Sequence, residues 1–396
     1  MKRWVVAVLV LNAGLFAAAP QDPLIGLAHS APPEFAADAL LRIAEQAKLA
    51  PAAKIELIEE AFRLAQSAHF LMPYRSFRTE SDSRAAVQNQ AFKLHLDSLS
   101  LQTRAVSDLL PLAPAKARQH FEEIRLPPLP ALTCADALIP EVSSFYDALG
   151  QVFQNAFTPK ERAREEHVNF LLSYLSRLAS PVQLAPAARL IQTLSLTSSQ
   201  KDLIFVQFSG ILGSMDSPGR LFEATRADIE AALTADMRPA LAKYDSRART
   251  TNLQCKDSDI EANPLWQSSD AKAIFQQARD RRPELLQDVA SWAGPFEEKS
   301  LIYLALLDRT SEPDFDKTLA AFIGYLNSST LQHLSPVEWF MPARSLYERF
   351  HDSNSIQAER AMAAYRDSGN PVLVLYAALD EKYGTKRPSW IGLGAP

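Results

Sequence analysis

Glycine is nearly missing from this chain: twelve in 396 residues, none between Gly26 and Gly150 and none between Gly219 and Gly294. Globular sequences average about 7%. So little glycine means few tight hairpins and few left-handed backbone positions. The Gly-rich loops that wrap phosphates and the Gly-x-Ser-x-Gly nucleophile turn are both absent, which removes the common nucleotide-binding and hydrolase signatures. None of the seven histidines is followed by Glu, so no HExxH metalloprotease motif exists.

Other fragments of catalytic or metal motifs are incomplete. A di-iron bundle needs two Glu-x-x-His motifs and two further glutamates; the chain has one, Glu348 to His351, which reads as a surface helix turn. Asp257, Asp259 and Glu261 open like a calcium loop, but Ala262 stands where the turn glycine belongs and Ser268 where the bidentate acid belongs. Ser198–Lys201 and Ser269–Lys272 match Ser-x-x-Lys without any Lys-Thr-Gly. Serine at these places is expected as a helix start. The sequence therefore points to no catalytic residue, no metal and no cofactor.

An excess of positive charge is also lacking. Lys and Arg number 41 against 46 Asp and Glu, a formal charge of −5. This argues against nucleic acid or anionic lipid as the main partner. Only one long apolar run exists, at the start. Lys2 and Arg3 precede Trp4 to Ala19, which ends in three alanines and is too short for an anchor. It has the build of an export signal, spanning residues 1–28 with a cut after Ala19 or, because Pro20 disfavours that bond, after Ala28. The mature chain is then expected in the periplasm or outside the cell, with no membrane span. The next most apolar stretch, Leu203 to Met215, is thirteen residues long and reads as a buried helix.

Cysteine is limited to Cys134 and Cys255. In an exported protein an even count favours pairing. A Cys134–Cys255 bond would close a loop of roughly 120 residues, worth about 4–5 kcal/mol in the chain-entropy account.

What the chain has in abundance is helix punctuation. Thr158-Pro-Lys-Glu161, Ser180-Pro-Val-Gln183 and Ser335-Pro-Val-Glu338 each place a hydroxyl at the N-cap, proline at N1 and an acid or amide at N3. Thr197-Ser-Ser-Gln200 is a fourth box, and Ser217-Pro218, Asn263-Pro264 and Asn370-Pro371 are cap-plus-proline starts. Apolar spacing agrees: Leu40, Ile43, Ala44 and Ala47; Val168, Leu171, Leu172, Leu175 and Leu178; Phe315, Leu319, Phe322, Ile323 and Leu326. Val372 to Tyr376 is the best strand candidate but runs into Ala-Ala-Leu-Asp-Glu-Lys and reads as helix.

Starts near 159, 181, 198 and 218 recur about every 20 residues, so a helix pair takes about 40, the range of helical-hairpin arrays. The expected fold is all-α, with stacked antiparallel helical hairpins in an α-solenoid-like array and no significant sheet. Residues 29–110 form N-terminal hairpins and 111–140 a Pro-rich connection. Residues 141–243 form a central array, 244–264 a polar connection, 265–384 a C-terminal array and 385–396 a tail. Such arrays present extended binding surfaces, so the expected role is an exported scaffold or binding protein for a protein or peptide of the bacterial envelope. The rival is a glycan-active (α/α) toroid enzyme, recognisable by two carboxylates about 5–10 Å apart in a cleft flanked by Trp or Tyr. Pro342 must end or kink the helix begun at Ser335. Trp339, Arg344 and Tyr347 around that kink are the candidate ligand-binding residues.

Overall fold

The computed structural model describes residues 22–76, 94–129, 138–215, 221–235, 238–239, 242, 273–274, 276, 285–307, 312–328, 331–340 and 356–384. Among them the chain is mostly helical, with seventeen helical segments and one ribbon of two three-residue strands.

The N-terminal helices are α1 (Pro23–His29), α2 (Pro33–Gln46), α3 (Pro51–Ala65), α4 (Ser98–Leu109) and α5 (Pro114–Glu123). Four of these five begin on proline at N1, where the missing amide would have had no helical partner. Helix α4 starts differently. Asp97 Oδ1 accepts the Ser100 amide at 2.9 Å, and the Ser98 and Leu99 amides donate to the carbonyls of Phe70 and Leu71. Its first turn is thus satisfied by a capping side chain and by a distant loop.

Strands β1 (Tyr74–Ser76) and β2 (Leu138–Pro140) pair antiparallel, Arg75 opposite Ile139. The Glu141 amide extends the ladder to the Pro73 carbonyl at 2.9 Å. Proline is tolerated at the end of β2 because the strand is an edge. Residues 111–140, expected as an open connection, contain α5 and end in this strand. Pro114 starts a helix there, and Ala117 and Phe121 bury one side of it.

The middle of the chain holds α6 (Ser143–Asn155), α7 (Pro159–Ala163), α8 (Glu166–Leu175), a 3-10 turn (Pro181–Gln183), α9 (Leu184–Thr193), α10 (Ser198–Ser214) and α11 (Leu221–Ala232). The capping boxes stand where the spacing placed them. Thr158 and Glu161 close α7, Thr197 and Gln200 start α10, and Ser180 with Gln183 brackets the 3-10 turn. Gly150 on α6 lies so near α9 that an added Cβ would meet Leu190 Cδ1 at 2.6 Å. Close helix approach, not turn geometry, is what glycine serves there, since any side chain would have to push Leu190 aside.

The C-terminal helices are α12 (Leu285–Ser291), α13 (Phe296–Leu307), α14 (Glu312–Leu326), α15 (Ile356–Arg366) and α16 (Pro371–Tyr383). Residues 336–340 are also helical, and Ser335 and Glu338 exchange the expected capping bonds. Asn370 caps α16 through the Val372 and Leu373 amides.

The core is one connected cluster running from Leu24 to Leu379. Helix α4 touches α2, α3, α5 and α6, and α9 touches α6 and α11. Helix α16 packs on α15 and also returns to α1 and α2, so the first and last described helices meet. The ring of Phe340 joins that junction, 4.9 Å from Phe35 and 5.0 Å from Tyr376. No described helix is long and apolar enough to cross a membrane.

One segment departs from its expected burial. In α10 only Ile204, Phe208 and Leu212 are buried, a single ridge laid against α8. Leu203 and Val206 on the other side are 49% and 73% exposed.

Candidate functional site

The chain's candidate site is a polar cleft assembled around the strand ribbon. The β1 register fixes Arg75 beside the end of β2, so the guanidinium reaches Glu141, with Nε 3.4 Å from Oε2. The same guanidinium pairs with Asp228, which α11 brings across from the opposite wall. Helix α9 supplies Arg189, and the Gln192 side-chain amide donates to the Ala232 carbonyl, tying α9 to α11. Val182, Ala185 and Pro186 form the floor, all three buried. The cleft, open to solvent on one side, has a volume of about 150 Å³.

The charges around the rim alternate in sign: Arg189, Glu141, Arg75, Asp228. Ser143 links the first two, since its amide donates to Glu141 Oε1 at 2.9 Å and its hydroxyl accepts from Arg189 Nη2 at 3.1 Å. Glu141 and Arg189 also act on neighbours. Burial holds the Asp147 carboxyl above its ordinary range, partly opposed by Arg189 and reinforced by Glu141. Burial lowers His95, with Glu141 opposing and Arg104 adding to the shift. His95 sits at φ 52°, a left-handed position uncommon for a residue with a Cβ.

A second group of charges lies deeper, where α2, α4 and α16 meet. Arg42 Nη2 donates to Asp380 Oδ1 at 2.7 Å, with both side chains under 10% exposed. Arg104 Nη1 donates to Asp38 Oδ1 at 2.7 Å, and the Tyr376 hydroxyl donates to Asp38 Oδ2 at 2.7 Å. Burial alone would raise Asp38, but the Arg104 and Arg42 guanidiniums and the Tyr376 bond outweigh it, so the carboxyl titrates below its usual range. Asp108, 3.8 Å from Arg104, goes the other way, pushed by burial to about 6. This network joins α2 and α4 to α16, the last helix described.

The residues singled out from sequence fall mostly elsewhere. Trp339 is half-buried and stands edge-to-face to Phe340 at 6.1 Å, at the margin of the core. Arg344 and Tyr347 lie outside the described residues, as do Cys134, Cys255, Glu348, His351, Asp257, Asp259, Glu261, Ser269 and Lys272. Ser198 and Lys201 are exposed in the first turn of α10, away from the cleft. Among the described residues no group of three or more His, Cys, Asp or Glu could hold a metal ion.

The cleft residues were not visible in sequence because they come from four separate elements, at positions 75, 141, 189 and 228. No family model, curated protein or solved structure matches this chain.

Proposed function

We propose that this is an exported helical scaffold that binds a protein or peptide segment in the bacterial envelope, with its hairpins stacked as a solenoid-like support. The observation that carries the reading is the outward side of α10. Leu203, Val206 and Gly210 fall at i, i+3 and i+7, one stripe, and all three are exposed. A helix inside a finished core buries such residues; Leu203 and Val206, large apolar side chains exposed one turn apart on one face, leave a surface that a partner would cover. The geometry suits a partner helix or extended segment laid along α10.

Export is supported by the composition of residues 1–19. Leu24 and Ala28 are buried in α1, so of the two cuts the one after Ala19 keeps this helix and the one after Ala28 removes it. The Cys134–Cys255 bond belongs to the same reading, since it suits an oxidising compartment.

A photo-reactive side chain at position 206 tests the proposal in an envelope fraction. The expected result is one dominant cross-linked envelope protein, lost when Leu203→Asp is added and retained when Lys201→Asp is added. Cross-linking that survives Leu203→Asp, or that never exceeds the level at an exposed control position, overturns it.

The glycan-hydrolase alternative has less support. Glu141 and Asp228 do face one cleft, but they share the Arg75 guanidinium, and neither Trp nor Tyr lines the cleft. Its volume of about 150 Å³ is below the roughly 300–1,000 Å³ of sites for larger ligands.

A further inference from the structure

We infer that the Arg75–Glu141–Asp228–Arg189 cleft is a binding site for a small zwitterion of the amino-acid type, separate from the α10 surface. Three features of the cleft support this. The first is the distribution of partners. Glu141 and Asp228 both pair with Arg75, whereas Arg189 has no carboxylate within ion-pair distance among the described residues and holds only the Ser143 hydroxyl. Asp147 lies within its field but forms no ion pair with it, so Arg189 keeps donors for a ligand carboxylate, which a guanidinium binds in bidentate fashion.

The second feature is the mixture of charges. Glu141 and Asp228 share the Arg75 guanidinium, and Ser143 bridges Glu141 to the second guanidinium, Arg189. Each carboxylate retains lone pairs that an ammonium group can take without displacing Arg75. A ligand carrying both charges satisfies both walls at once. A simple anion would meet Arg189 but face Glu141, and a simple cation would meet the carboxylates but face two guanidiniums.

The third is size and floor. About 150 Å³ over Val182, Ala185 and Pro186 accommodates one small molecule with a short apolar side chain and no polymer. The walls are also set independently of any ligand: the β1–β2 register places Arg75, the ladder bond to Pro73 places Glu141, and the Gln192–Ala232 bond sets α9 against α11. An ion cluster at this level of exposure adds little stability, so its cost in fixed side chains is offset by recognition.

Titration calorimetry on the full mature protein tests this with L-alanine as the probe, and with acetate, methylamine and L-alaninamide as single-charge controls. The expected result is heat for L-alanine at millimolar concentration and none for the three controls. Arg189→Gln, an exposed substitution that leaves the helical circular dichroism unchanged, should weaken binding at least about tenfold, and Asp228→Asn should do the same. No binding of L-alanine at about 20 mM, where even a 1 mM site would be nearly filled, overturns the inference. So does acetate binding as well as L-alanine, or an affinity unmoved by either substitution. The Leu203→Asp variant should bind L-alanine normally, so failure of the α10 reading and failure of this one are distinguishable.

Discussion

Arg42 and Asp380 are 338 residues apart in sequence yet form a 2.7 Å ion pair that is almost wholly buried. Removing one member leaves the other charged in a site with little water. Such losses cost about 3–5 kcal/mol, whereas replacing both members with apolar groups of similar size is often nearly neutral. Arg42→Met should therefore destabilise by about 3–5 kcal/mol. Asp380→Leu should cost somewhat less, because Arg42 still has Asp38 nearby and the Gly384 carbonyl at 3.4 Å. The double variant should cost far less than the sum, giving a coupling of about 2–3 kcal/mol. Urea midpoints at constant slope measure these differences, and hydrogen exchange over residues 371–383 shows whether α16 is the part released. Acid should reproduce the effect through Asp38. Its folded pKa lies below the unfolded value of 3.8, so the stability it contributes is present above that value and lost as pH falls through the folded one. Additive single costs, or an Arg42→Met penalty under about 1 kcal/mol, would refute the claim that this pair fastens the chain's ends.

Asp97 gives a pH dependence of opposite sign. Burial raises its carboxyl to about 6, with bonds from Ser100 opposing. Because the folded pKa is the higher one, its contribution is fully present below 3.8 and lost as pH rises through about 6. Asp97→Asn keeps an acceptor for the Ser100 amide and should be more stable than the parent at pH 7.5 by up to about 3 kcal/mol. The gap should close below pH 4, and an equal difference at both pH values refutes it. At Gly150, leucine should destabilise by about 1–3 kcal/mol or more through overpacking against Leu190, a change read from the melting temperature. A chain starting at His29 should lose at least about 3 kcal/mol with Leu24 and the rest of α1. If the chain is exported as proposed, N-terminal sequencing should read a residue before Asp22, and a start at His29 would refute the upstream cut.

Helix starts were legible because their chemistry is local. The Thr158 box needs only Glu161 three residues on, and Asn370 needs only the amides of Val372 and Leu373 in its own helix. The stripe Phe315, Leu319, Phe322, Ile323 and Leu326 is buried throughout, as its spacing requires. The β1–β2 ribbon was not legible. Three residues give no alternation to detect, and one strand ends in proline. The apolar run from Leu203 was misleading for a related reason. Apolar residues on every side of a helix describe its appetite for neighbours, whereas among the described helices its main neighbour is α8.

Arg42 shows why architecture was harder to read than elements. The stripe Leu40, Ile43, Ala44 and Ala47 implies a helix with one face in the core, and on such a helix Arg42 points to solvent. In the structure Leu40, Leu41, Arg42, Ile43 and Ala44 are all buried, so α2 is enclosed rather than half-exposed. The helices that enclose it are α1, α3, α4 and α16. Three of these lie nearby in sequence, but the fourth is the last helix described. An arginine placed among them needs anions: Asp38, one turn earlier on α2, acts on it from its own helix, and Asp380 arrives with α16 to accept its hydrogen bond. The charge on Arg42 thus favours the arrangement in which the two ends meet, because any packing that left α16 elsewhere would bury the guanidinium without Asp380. A charged residue beside an apolar stripe is ordinarily evidence of a wet face; here it is evidence of a distant partner, and its substitution tests the closure of the chain.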